Sequence, residues 1–178
     1  TKLSLGFGLI VTLMLISGGM AYYALQNLNA RMNDLLEDKV PKIEWLADIN
    51  YSVLDIARSM RNALLGIDNP EKMEAQIART LEARGKIRAV VEKLEPKLYL
   101  PEGKAAMKRI LDARAAFIDG QDHIFKLLRA GQSAEARDYL LNEMRKRQAA
   151  YAEATGALQE LQRKLMKEAG EVAAKESA

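Results

Sequence analysis

From Leu5 to Leu25 the chain reads LGFGLIVTLMLISGGMAYYAL, with no charged residue. A helix of that length, at about 1.5 Å rise per residue, reaches about 31 Å, the depth of a bilayer's hydrocarbon core. Tyr22 and Tyr23 stand near its far end, where amphipathic rings favour the membrane interface. The helical pattern continues through Leu28, Met32 and Leu35 without the small-residue break of a cleavage site. The run therefore reads as a retained anchor rather than a signal peptide. Lys2 precedes it, while Arg31, Asp34, Glu37 and Asp38 follow, which predicts a cytoplasmic start and an external bulk.

Beyond the anchor, helix breakers cut the chain into four long segments. Gly66-Ile67-Asp68-Asn69-Pro70 predicts a stop and a restart, with Asp68 or Asn69 as N-cap and Pro70 at the first helical position. Pro96 through Gly103 makes a second turn, and Gly131-Gln132-Ser133 a third, with Ser133 as a candidate N-cap. Pro41 predicts a kink in the first helix. The expected helices are about 42–65, 71–95, 102–130 and 134–171.

Each carries apolar residues in alternating steps of three and four. The stripes are Ile49, Val53, Ile56, Met60, Leu64, Ile67; Met73, Ile77, Ile87, Val91, Leu94; Met107, Ile110, Phe117, Ile118, Phe125, Leu128; and Leu140, Met144, Tyr151, Ala154, Leu158, Leu161, Leu165. Such spacing suits near-parallel helix packing, and short turns force neighbouring helices to run antiparallel. The fold class is therefore all-α: an up-down-up-down antiparallel four-helix bundle preceded by a transmembrane helix. Residues 1–26 are expected to form the first span and residues 27–178 the bundle domain.

Composition narrows the function. With no cysteine, neither a disulfide framework nor a thiolate metal site is available. The net charge is only +3, and Lys and Arg alternate with Asp and Glu, which reads as solvated helix faces and not as a nucleic-acid footprint. His123 is the only histidine, so two-histidine metal sites are excluded. Three residues before it stands Gly120, where a ferritin-like helix would carry Glu. No phosphate loop, kinase signature or nucleophile elbow is present. No enzyme activity, cofactor or metal is expected.

The informative residues are polar ones at positions that the stripes assign to the core. Thr80 and Arg84 fall there on the second helix, Arg114 and Gln121 on the third, and Glu143 and Arg147 on the fourth. Counted from the turns distal to the membrane, Arg84, Arg114 and Arg147 lie about 21–24 Å down, so they are expected to share one layer. Thr80, Glu143 and Gln121 would stand above them, with Tyr139 and Tyr151 on nearby turns. Buried unpaired cations cost several kcal/mol each, so the layer needs anions. Glu143 is one source, and a bound ligand is the other. Arginine forks match the two oxygens of a carboxylate, so the expected ligand is a small organic acid. On the first helix, Leu54, Arg58, Arg61 and Leu65 form a face turned about a third of a circle from the core. That face is the candidate for a homodimer contact or for an alternative ligand site.

Three segments carry a resemblance: the opening KLSLGFGLIVTLMLISGGM, then DIARSMRNALLGIDNP, and LLRAGQSAEARDYL leading into the fourth helix. Through them nearly the whole chain resembles the four-helix-bundle ligand-binding domains of bacterial methyl-accepting chemotaxis proteins. The resemblance implies a homodimer in the inner membrane, a periplasmic sensor that binds a small attractant, and a signal passed down the fourth helix. Arg58 and Arg61 look like the arginines by which the aspartate-receptor branch holds its ligand across the dimer interface. Arg137 to Leu141 fall where that branch's fourth-helix contacts would lie. Leu140-Leu141 replaces its Pro-Thr pair, which points away from aspartate. Other branches place organic acids inside one bundle, as Thr80, Arg84, Arg114 and Arg147 would. The alternatives are the same module on a sensor kinase or cyclase, and a structural bundle that binds nothing.

Overall fold

The computed structural model describes residues 2–176 and is helical throughout apart from its turns, with no strand among the described residues. Residues 1, 177 and 178 of the two expected segments lie outside the described residues. The first helix, α1, spans Lys2–Asp34, and a π-turn follows at Leu35–Lys39. Then come α2 (Val40–Leu65), α3 (Pro70–Leu94) and α4 (Pro101–Arg129). The last stretch is α5 (Ser133–Tyr139), a second π-turn (Leu140–Met144) and α6 (Arg145–Glu176).

The chain divides into two compact units. One comprises Thr1–Pro41 with Lys164–Ala178. In it α1 is long and apolar enough to cross a membrane, and its apolar segment is wholly unburied, with Phe7, Leu15 and Met20 all exposed. Such a surface is stable in hydrocarbon and costly in water. Near Pro41, where a kink was expected, the chain widens into the π-turn Leu35–Lys39. Proline has no N–H to give and crowds the carbonyl four residues back, here that of Glu37, and a wider turn relieves that clash.

The other unit, Lys42–Arg163, holds the bundle core. On α2 the buried residues Leu46, Ile49, Val53, Ile56, Met60 and Ala63 keep the three-and-four rhythm. They meet Met73, Ile77, Ile87, Val91 and Leu94 of α3, and Met107, Ile110, Phe117, Ile124 and Leu128 of α4. Antiparallel register is visible in the cross-links. Glu74 accepts a forked pair of bonds from Arg129 at 2.7 and 2.9 Å, and ten residues further down α3 Arg84 meets Gln121 of α4. Between α6 and α2, Thr155 Oγ1 lies 2.6 Å from Asn50 Oδ1, and Gln159 Nε2 donates to the Ile43 carbonyl at 3.3 Å.

The turns follow the expected chemistry. Asn69 caps α3, its Oδ1 accepting from the Lys72 N–H at 3.0 Å, with Pro70 next. After α4, Gly131 adopts φ 70, which leaves Gln132 N–H on the Leu127 carbonyl and Gly131 N–H on that of Leu128. This pair of hydrogen bonds is the glycine-dependent stop that satisfies a helix's last carbonyls. One cap differs from expectation: Gln132 holds the N-cap position and Ser133 is already the first helical residue.

Candidate functional site

The three arginines expected in one layer take three different environments. Arg84 lies across the seam between α3 and α4. Its Nε donates to Gln121 Oε1 at 2.5 Å, and its Nη2 donates to Asp122 Oδ1 at 2.7 Å and more weakly to the Ile118 carbonyl at 3.4 Å. The guanidinium also sits 5.2 Å above the Phe125 ring. Arg147 grips α4 from its other flank, its Nη1 donating to the Ala116 carbonyl at 2.6 Å and to Asp119 Oδ2 at 2.9 Å. Its guanidinium lies 6.0 Å from the Tyr139 ring, and that ring leans on His123 at 4.4 Å. The anions that these two cations need therefore come from α4 itself, one residue after and two residues before Gln121.

Arg114 differs from both. It occupies a core position in the α4 rhythm, is half-buried, and pairs with no acid among the described residues. Its charge acts on Tyr151, a fully buried residue whose ring packs 5.8 Å from that of Phe117. The Tyr151 hydroxyl has no hydrogen-bond partner, and neither does the buried Nε2 of Gln121. Burial raises the Tyr151 pKa above the ordinary tyrosine range, while the Arg114 charge pulls it back in part.

Two expected members of the layer stand apart. Thr80 is fully buried, but its hydroxyl donates back to the Gln76 carbonyl of its own helix at 3.1 Å. Glu143 was expected on the inner face and is exposed instead, accepting from Lys146 at 2.8 Å, a contact that lowers its pKa. The reason is the π-turn Leu140–Met144. It holds one more residue than an α-turn, so a count made at α-helical phase assigns Glu143 to the wrong face. Beyond the turn Tyr151 and Leu158 are buried as expected, but Thr155 and Gln162 are in the core where the sequence pattern has Ala154 and Leu161, which are half-buried.

A separate groove of about 310 Å³ lies between α2 and the π-turn with the start of α6. Met60, Leu140, Leu141 and Met144 line it, and Arg61 and Arg145 approach it from the two sides. Neither arginine pairs with an acid among the described residues. Arg61 also belongs to the outer face of α2, where Leu54 is 59% and Leu65 84% exposed. Arg58 belongs to that face and hydrogen-bonds Asp55. With Tyr51, also exposed, the face reads Tyr51, Leu54, Arg58, Arg61, Leu65, in steps of three and four. That is the spacing of a helix seam without its partner. Four of these five residues stand out in the sequence, all but Tyr51. The nearness of Arg61 to Arg145 does not, because only the fold sets the start of α6 beside the end of α2.

Among the described residues no group of three or more acidic or histidine side chains is arranged to hold a metal ion. A family model described as a four helix bundle sensory module for signal transduction matches residues 1–176. A comparison with curated proteins finds no match.

Proposed function

The chain belongs to the family of four-helix-bundle sensory modules for signal transduction, and on that premise we propose that it is the periplasmic sensor of a membrane-anchored chemoreceptor whose stimulus is a small organic acid. The observation that carries the ligand class is the groove beside α2. Two guanidinium groups without acidic partners flank a space of about 310 Å³ whose remaining wall is apolar apart from Gln148. That volume is at the lower end of small-molecule pockets. Paired arginines complement a carboxylate, and Met60, Leu140 and Leu141 complement a hydrocarbon body. An acid with an apolar or aromatic body suits the groove better than a compact, wholly polar one such as aspartate.

A homodimer belongs to the same reading. Pairing the Tyr51–Leu65 face of α2 with its copy would bury Leu54 and Leu65 and bring a second Arg58 and Arg61 toward the groove. The anchor is α1, from Leu5 to Leu25, in the bacterial inner membrane.

A second reading has its own support. The unpaired Tyr151 hydroxyl and the acid-free Arg114 would both be satisfied by one carboxylate held inside the bundle, with Gln121 two turns along α4 from Arg114. Thr80, Arg84 and Arg147 contribute less to that version, since their polar groups already have partners.

The two readings separate by calorimetry. The full chain in lipid nanodiscs is titrated with benzoate, malate and citrate. Arg61→Ala and Arg145→Ala should each weaken binding by about tenfold or more, since a hydrogen bond to a charged group contributes about 1.5–3 kcal/mol. If Arg114→Ala and Tyr151→Phe weaken it instead, the acid sits inside the bundle. If no acid gives heat, the acid reading is wrong.

A further inference from the structure

The groove owes its wall to an irregularity in the helix that lines it. Leu140, Leu141 and Met144 all belong to the five-residue π-turn between α5 and α6. The irregularity is written in the sequence. Before and through the turn the inward residues Ala136, Leu140 and Met144 advance by steps of four; beyond it Gln148, Tyr151, Thr155, Leu158 and Gln162 alternate fours and threes. A heptad averages three and a half, so the first stretch contains one residue more than regular packing needs, and the π-turn absorbs it.

Opposite the turn, α4 presents Gly120. A methyl group at that position would lie 2.4 Å from Met144 Sδ and 2.9 Å from Arg147 Cδ. The two side chains therefore rest on bare backbone. That surface has no Cβ for them to lock around, so it resists sliding less than a branched residue would.

We propose that the π-turn Leu140–Met144 is the two-state element of this sensor: it exchanges between the π register and one in which the extra residue has moved along the helix, and an acid in the groove selects the π register. This rests on reading the groove as the acid site. In the shifted register the side chains of Leu140, Leu141 and Met144 rotate by up to a residue's turn, about 100°, which removes the apolar wall and carries Met144 off Gly120. An occupant that touches those three side chains and Arg145 has differential contacts with the two registers, which is what a population shift requires. The register then reports occupancy to α6, which begins at the next residue.

Amide hydrogen exchange on the full chain in nanodiscs tests this, with and without benzoate, malate or citrate at saturation. An acid that binds should slow exchange of the Met144–Gln148 amides at least tenfold, while α3 amides stay unchanged. Without acid these amides should exchange well ahead of those at 152–158. Deleting Asn142, which loses only an exposed bond to Asp138, should leave a regular helix, remove the fast exchange and cut acid affinity at least tenfold. If an acid binds through Arg61 but the Met144–Gln148 amides do not respond, the register idea is overturned and the acid site stands. Uniform exchange along 140–158 without acid also overturns it. If none of the acids binds, the site and the register coupling fall together.

Discussion

Arg84 and Gln121 form the shortest polar link between α3 and α4, Nε to Oε1 at 2.5 Å, with Gln121 wholly buried and its Nε2 left over. The link gives Arg84 a structural role. Its stem covers Phe125, and its head satisfies an amide that has no other partner. Arg84→Ala should lower stability by about 2–4 kcal/mol, because it leaves a buried amide unpaired and uncovers an aromatic ring. Acid affinity should not change, since the groove beside α2 lies elsewhere. Denaturant melts and calorimetry on the same variant check both halves, and a variant of normal stability that no longer binds acid would return Arg84 to the ligand site.

Tyr151 gives the opposite sign. Its hydroxyl is buried without a partner, a state that costs about 1–3 kcal/mol relative to solvation. Tyr151→Phe should therefore leave stability unchanged or raise it by about 1 kcal/mol. The pH dependence follows from the raised pKa, which burial causes against the opposing charge of Arg114. The folded state holds the phenol proton more tightly than the unfolded state does. That contribution is fully present below the unfolded pKa of about 10 and is lost as pH rises beyond it. Wild-type stability should thus fall faster than that of Tyr151→Phe between pH 9 and 11. Parallel slopes would mean that the hydroxyl ionises as readily in the folded state as in the unfolded one, so that water reaches it.

Most of the fold was legible in the residues themselves. Pro70 after Asn69, Pro101 before the α4 run and Gly131 after Arg129 punctuate the chain at positions where only a few backbone geometries are possible. The apolar rhythm between them admits one packing. The site was less legible, for two reasons. A count by threes and fours assumes unbroken α-phase, and one extra residue at Leu140–Met144 turned Glu143 outward. And charge balance was read along stripes, whereas Asp119 and Asp122 flank the stripe of α4 and reach Arg147 and Arg84 from the side. Arg61 and Arg145 stand 84 positions apart in sequence, and no local pattern couples them.

Gly120 is where α4 comes closest to the π-turn. Alanine there would gain about 1 kcal/mol of helix propensity on an isolated helix. Here its Cβ would meet Met144 Sδ at 2.4 Å, so the side chain must leave its place. Overpacking of that kind costs about 1–3 kcal/mol. Gly120→Ala should be net destabilising, and the cost should shrink in the Met144→Ala background. A double-mutant cycle measures this coupling, and additive effects would show that Met144 yields freely.

The outer face of α2 makes the last prediction. Leu54 and Leu65 expose large apolar surfaces on either side of Arg58 and Arg61, and neither supports the bundle from within. A single exposed leucine on a helix is ordinary, but a stripe in three-and-four steps with charge at its centre is the composition of a helix seam. If two copies meet there, Leu54→Glu places like charges across the pair and should weaken dimerisation by about tenfold or more, with the monomer's helical content and melting midpoint almost unchanged. Analytical ultracentrifugation in detergent matched for density reads the first, and circular dichroism the second. Acid affinity should fall together with dimerisation if the partner's Arg61 completes the groove, and should hold if Arg61 and Arg145 of one chain suffice. A Leu54→Glu protein that associates like the wild type would exclude this face as the dimer contact and leave the groove as a site made by one chain.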